Sequence, residues 1–94
     1  MAPAVPTVTT DTADLRVTTW AFDTDAATGQ HRHEYDYVVV PVTGGTFTVT
    51  DLDGRMSTLR QAAGVAYLGT AGTAHDVANA TGRPVSFVEV ERRR

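Results

Sequence analysis

The chain has no cysteine, and its eight basic residues are all arginine, with no lysine. Without cysteine, no disulfide framework stiffens the fold and no thiolate serves as nucleophile or metal ligand. The same absence suits a reducing cytoplasm, the compartment expected for the protein. The missing lysine speaks of genome composition and carries no mechanism. No apolar run approaches the roughly 18 residues a membrane helix needs. The opening MAPAVPTVTTDTAD lacks the basic and apolar regions of a secretory signal. A formal net charge of −3 gives no electrostatic reason to expect nucleic acid or an anionic membrane as partner. No stretch shows a 3.6-residue apolar period, no internal repeat is visible, and no linker divides the chain.

What is present points to strands. A length of 94 residues allows one domain, near the lower end of what folds without staples. A hydrophobic fraction of 41% and a charged fraction of 20% are those of an ordinary globular protein. Threonine and valine dominate, and their branched side chains pack well on a pleated surface. Strands are expected over 16–22, 31–42, 46–50, 55–60, 66–68, 74–79 and 85–91, separated by corners rich in Gly, Asp and Asn. Pro41 cannot donate to a ladder and marks an edge or a bulge. Six to eight short strands at regular spacing indicate an antiparallel sandwich or barrel. With Pro3 and Pro6, residues 1–14 read as a flexible arm; 15–91 form the domain. Residues 92–94, all arginine, read as a solvated basic end.

The three histidines carry the chemistry. His31 and His33 stand two apart, so on a strand both imidazoles point to one side. His75 also falls within an expected strand. Neutral imidazoles converging from two strands suit zinc, iron, nickel, copper or manganese. An H-x-H pair alone is weak, because such pairs also occur on solvent faces. By parity, Tyr35 and Tyr37 share the histidine face, while Glu34 and Asp36 point away. A bulge near Pro41 would be needed to rotate Asp36 inward. Trp20 and Phe22 alternate along the first clear strand and should line or plug the interior. Glu89 and Glu91 alternate with Phe87 along the last; solvent is their default, with an acid or base role in the cavity as the alternative. Arg16, Arg32 and Arg60 are candidate anchors for a carboxylate substrate, though nothing places them in the interior.

The segment from Gly64 to Asn79, GVAYLGTAGTAHDVAN, resembles the second cupin motif, G-x5-P-x-G-x2-H-x3-N. Gly64, Gly72, His75 and Asn79 fall in register, and Thr70 stands at the proline position. The first cupin motif is matched by His31, His33 and Gly44, with Tyr37 at its acidic position. The resemblance runs from about Arg16 to Glu91. Gly44 and Gly72 lie at corners that call for positive φ or close backbone approach, and the Asn79 amide is expected to bond the backbone. More closely, GQHRHEYDYVVVPVTGGT is similar to stand-alone small bacterial cupins, some of them labelled β-alanine degradation proteins.

The resemblance implies an all-β fold, a single antiparallel jelly-roll barrel, commonly paired as a homodimer. It implies one divalent transition metal ion per chain, held by His31, His33 and His75 without the usual glutamate. Tyr37 would hydrogen-bond a metal-bound species through its phenol or pack in the barrel. Three-histidine cupin sites are similar to those of thiol and diketone-cleaving dioxygenases. The reading is therefore an iron-type, dioxygenase-like oxidoreductase acting on a small organic acid. The alternatives are a non-catalytic binding or sensor protein and an oxygen-independent isomerase or lyase.

Overall fold

The computed structural model describes residues 2–93. Nine strands follow in order: β1 (Val5–Asp11), β2 (Leu15–Phe22), β3 (His31–Arg32), β4 (Tyr37–Pro41), β5 (Gly45–Asp51), β6 (Met56–Gln61), β7 (Tyr67–Gly69), β8 (Ala74–Asn79) and β9 (Val85–Arg92). They form two antiparallel sheets, ordered β1-β2-β9-β4-β7 and β3-β8-β5-β6. The non-consecutive neighbours are those of a jelly roll. Among the described residues no ladder joins the sheets, so the barrel is a two-sheet sandwich. Ala27 makes isolated bridges to Pro3 and to Ala78 of β8.

Strand alternation decides what faces inward. On β4, Tyr37, Val39 and Pro41 are buried while Val38 and Val40 are only partly covered. On β9, Val85, Phe87 and Glu89 are buried. Phe22, Phe47 and Phe87 meet with ring centroids 5.3 to 5.7 Å apart. This is the edge-to-face range aromatic quadrupoles favour. Trp20 packs against that cluster, so Trp20 and Phe22 both face the interior, as alternation requires.

The structure departs from the sequence reading in four places. Residues 5–11, expected to be loose, form β1, paired with β2 from Val5↔Ala21 to Asp11↔Arg16. Pro6 is tolerated there because β1 is an edge strand, with one side of its ladder unpaired. The run 31–42 is not one strand. It breaks after Arg32, and the chain crosses from the four-stranded sheet (β3) to the five-stranded sheet (β4). Pro41 lies fully buried at the end of β4, where it terminates the strand without a bulge. The basic end is also tied down: Arg92 closes β9, and Arg93 reaches Asp11 at 2.8 Å. Met1 of the expected arm and Arg94 of the expected tail lie outside the described residues.

Candidate metal centre

Two strands and one crossing bring the histidines together. In the ladder between β3 and β8, His31 lies directly opposite His75. His33 sits just beyond β3, yet its N–H still donates to Thr73 O at 2.9 Å and its carbonyl accepts from Gly72 N–H at 2.8 Å. That residual pairing keeps His33 in step with His31, so the same-face argument survives the end of the strand. Gly72 has φ of 91°, a conformation glycine adopts without the Cβ clash that penalises other residues. The corner before His75 depends on it.

The three Nε2 atoms converge. His33 Nε2 lies 3.1 Å from His31 Nε2 and 3.2 Å from His75 Nε2. One donor atom from each ring falls within 4.8 Å of the others. The His31 Nδ1–H donates to Gly29 O at 2.8 Å, which leaves Nε2 as the lone-pair nitrogen of the neutral ring. On its far side, His33 turns Nδ1 toward Glu89 Oε1, 3.5 Å away. Burial, helped by the charges of His31 and His75, pushes His33 down to about 4. Burial and His31 likewise push His75 down to about 4, against an opposing pull from Asp76. At neutral pH both rings are therefore uncharged, the form that binds metal. The donor set fits a single ion: two metal–nitrogen bonds of about 2.1 Å span separations of this size, and a cation relieves the crowding of lone pairs.

The histidines open onto a chamber of about 360 Å³, whose lining includes Tyr37, Val39, Leu59, Tyr67, Phe87 and Glu89. Tyr37 stacks on His33, with centroids 4.0 Å apart and planes 19° apart. Burial, then the neighbouring Glu89 charge, raises its phenol to about 12. It stays protonated, with Thr73 as hydrogen-bond partner. Gly69 lies opposite Tyr37 in the ladder between β4 and β7, and a Cβ there would overlap the Tyr37 ring. This glycine is a matter of space. Tyr67 accepts a hydrogen bond from Gln61 Nε2 at 2.9 Å, and burial raises its phenol too.

Of the other candidates, Asp36 is exposed, its Oδ1 accepting from Ala71 N–H at 2.8 Å. Glu34 is exposed as well, and Tyr35 turns with both of them into an outer depression away from the histidines. The face shared by His31 and His33 does not extend to Tyr35, because the chain changes sheets between them. Asn79 is structural: its amide donates to Asp23 O and Arg83 O, and its Oδ1 accepts from Thr81. Arg16 pairs with Glu91 at 3.3 Å, and among the described residues no arginine lines the chamber. Glu89 corrects the solvent default. It is buried, and burial together with the Glu91 charge raises it to about 7 while a Trp20 hydrogen bond opposes the rise. The signal was its parity with Phe87: once Phe87 is core, Glu89 faces the interior.

A two-sheet jelly roll with three inward histidines, able to hold a metal ion, on one side of a chamber is the arrangement of a cupin. Residues 18–91 match the cupin domain family, and the chain belongs to it. The β-alanine degradation protein BauB of Pseudomonas aeruginosa is 49% identical over 89 residues, 94% of this chain and 92% of that protein. The crystal structure of a cupin domain from Bordetella pertussis Tohama I has a TM-score of 0.95 at 38% identity, covering 99% of this chain and 96% of that one. An RmlC-like cupin family protein with a double-stranded β-helix fold from Methanocaldococcus jannaschii reaches 0.77 at 12% identity, over 98% and 82% of the two chains. At that identity the likeness is one of fold alone.

Proposed function

We propose that the protein is a mononuclear non-haem metal enzyme, a dioxygenase-like oxidoreductase of the iron type acting on a small organic acid. His31, His33 and His75 are its metal ligands and Tyr37 its catalytic residue. The observation that carries this reading is the convergence of three Nε2 atoms on a chamber to which neither Glu34 nor Asp36 contributes a carboxylate. A divalent ion held by three imidazoles supplies a Lewis acid with positions left open for substrate and dioxygen.

The chain's own groups do the rest. Val39, Leu59 and Phe87 give the chamber apolar walls beside the histidines. The Tyr37 phenol, held protonated, donates a hydrogen bond toward the reacting molecule. Among the described residues no arginine lines the chamber, so the Tyr37 and Tyr67 hydroxyls, rather than a guanidinium, would hold a carboxylate beside an ion bound by the three histidines. The name of the Pseudomonas relative, a β-alanine degradation protein, supports a small acid as substrate. A cysteine-free chain supports a cytoplasmic setting. Exposed Val65 and Leu68, the latter 81% accessible, support pairing as a homodimer.

The test is metal content of untagged protein purified without chelator, followed by oxygen uptake on addition of small organic acids, with His75→Ala as control. One ion per chain, lost in the variant, together with acid-dependent oxygen uptake is the expected result. Metal-dependent turnover without oxygen uptake would replace the oxidoreductase with an isomerase or lyase. Tight binding of an acid without turnover would make the protein a binding module.

A further inference from the structure

The rings of His31 and His33 are backed differently. His31 rests on a backbone carbonyl, Gly29 O, which no side-chain substitution removes. His33 faces a side chain: Glu89 Oε1 lies 3.5 Å from Nδ1, and the two side chains are only 10% and 7% exposed. A carboxylate in so sealed a place is costly unless its neighbours use it.

We propose that Glu89 is a positioning residue of the metal centre. Its oxygen accepts the Nδ1 proton of His33, holds that ring with the Nε2 lone pair aimed at His31 and His75, and so sets the affinity for a divalent ion. The proposal rests on the metal reading above and adds a residue outside the histidine cluster.

Three observations carry it. First, Glu89 is itself held in place. It sits on β9, the central strand of its sheet, opposite Thr18 of β2 and Val39 of β4. The Trp20 indole, a donor only, hydrogen-bonds its carboxylate. Second, the other contact on His33 cannot do the same work. Tyr37 stacks flat on the ring, which restrains tilt but is indifferent to a half-turn that exchanges nitrogens for carbons. A partner at Nδ1 distinguishes the two orientations from the side of the ring away from the other histidines. Third, Glu89 meets Nδ1, while the converging donor atoms are Nε2. It acts through His33, in the manner of carboxylates that orient metal-bound imidazoles. A carboxyl group offers an acceptor oxygen in either protonation state, so the role does not depend on its charge.

The experiment is Co(II) titration of the wild type, Glu89→Ala, Glu89→Gln and His33→Ala, paired with imidazole nitrogen NMR of the metal-free proteins. The wild type is expected to show His33 protonated at Nδ1, and Glu89→Ala a mixture of tautomers. Glu89→Ala should bind Co(II) roughly 10- to 100-fold more weakly, with the same Co(II) absorption bands and therefore the same ligands. Should Glu89→Ala fail to fold, the near-isosteric Glu89→Gln decides. It keeps an acceptor at the same place, so its His33 tautomer should hold while affinity falls by less. Unchanged affinity in whichever variant folds would overturn the role of Glu89. Altered Co(II) bands showing a lost ligand would overturn it too, by making Glu89 a ligand in its own right. Failure of the wild type to bind Co(II) would instead overturn the metal reading, a result distinct from equal binding by wild type and variant.

Discussion

The two halves of the interior are built by the same strands and share almost no chemistry. Along β9 the inward residues run Val85, Phe87, Glu89; along β8 they run Val77 to His75; on β4 they pass from Pro41 through Val39 to Tyr37. One half is filled by interlocking phenylalanines. The other is hollow and lined by titratable groups. A pleat that continues unbroken from the filled half to the hollow half lets the first hold the second in register. Polar groups in the hollow half then keep their positions without a packed core of their own. The lesson is that rigidity and reactivity are separated along each strand.

Breaking the filled half gives the largest effect. Phe47, fully buried among aromatic partners, should cost about 3–5 kcal/mol when changed to Ala, measured by urea denaturation. A loss below about 1 kcal/mol would mean the phenylalanines are not what holds the sandwich.

Acid should act on the hollow half. In the metal-free protein, His33 and His75 are lowered from 6.5 to about 4, so between those values the unfolded chain binds two more protons than the folded one. Stability from these rings is therefore lost as pH falls through that window. Glu89, raised from 4.5 to about 7, works in the opposite sense, binding its proton first in the folded state. Two groups against one leave a net uptake of about one proton on unfolding near pH 5.5. Stability should fall on acidification from pH 6.5 to 5, read from denaturation midpoints. His75→Ala should flatten that slope; an unaltered slope would place its origin elsewhere.

The smallest effect on the fold, and the sharpest on chemistry, belongs to Tyr37→Phe. The ring keeps its seat on Gly69 and its stack on His33, so stability should change by about 1 kcal/mol or less and metal content not at all. Turnover should fall if the phenol donates to the reacting molecule. Full turnover would reduce Tyr37 to packing.

Much of this was legible in the chain itself. The H-x-H spacing put His31 and His33 on one side, the resemblance to the second cupin motif added His75, and alternation placed Trp20 and Phe22 inside. What stayed hidden had physical reasons. The pattern HRHEYDYVVVP runs unbroken through a crossing between sheets, because backbone direction changes there without a glycine or proline to mark it. β1 was masked by Pro3, Pro6 and threonine, residues an edge strand tolerates. Glu89 was masked by Val88 and Val90, whose hydrophobicity on the outer face inverts the usual cue. The need for Gly69 lies wholly in the ring across the ladder from it, a contact 32 residues distant in sequence (69 less 37).

The direct pairing of His31 with His75 also bears on folding. Side chains alternate with a period of two, so a slip of one residue between β3 and β8 would turn His75 to the opposite face. The three nitrogens meet only when two segments far apart in the chain have found their proper alignment. The site is thus a proofreader of strand registration: a mispaired chain cannot assemble it, and whatever binds there selects the correctly aligned molecule.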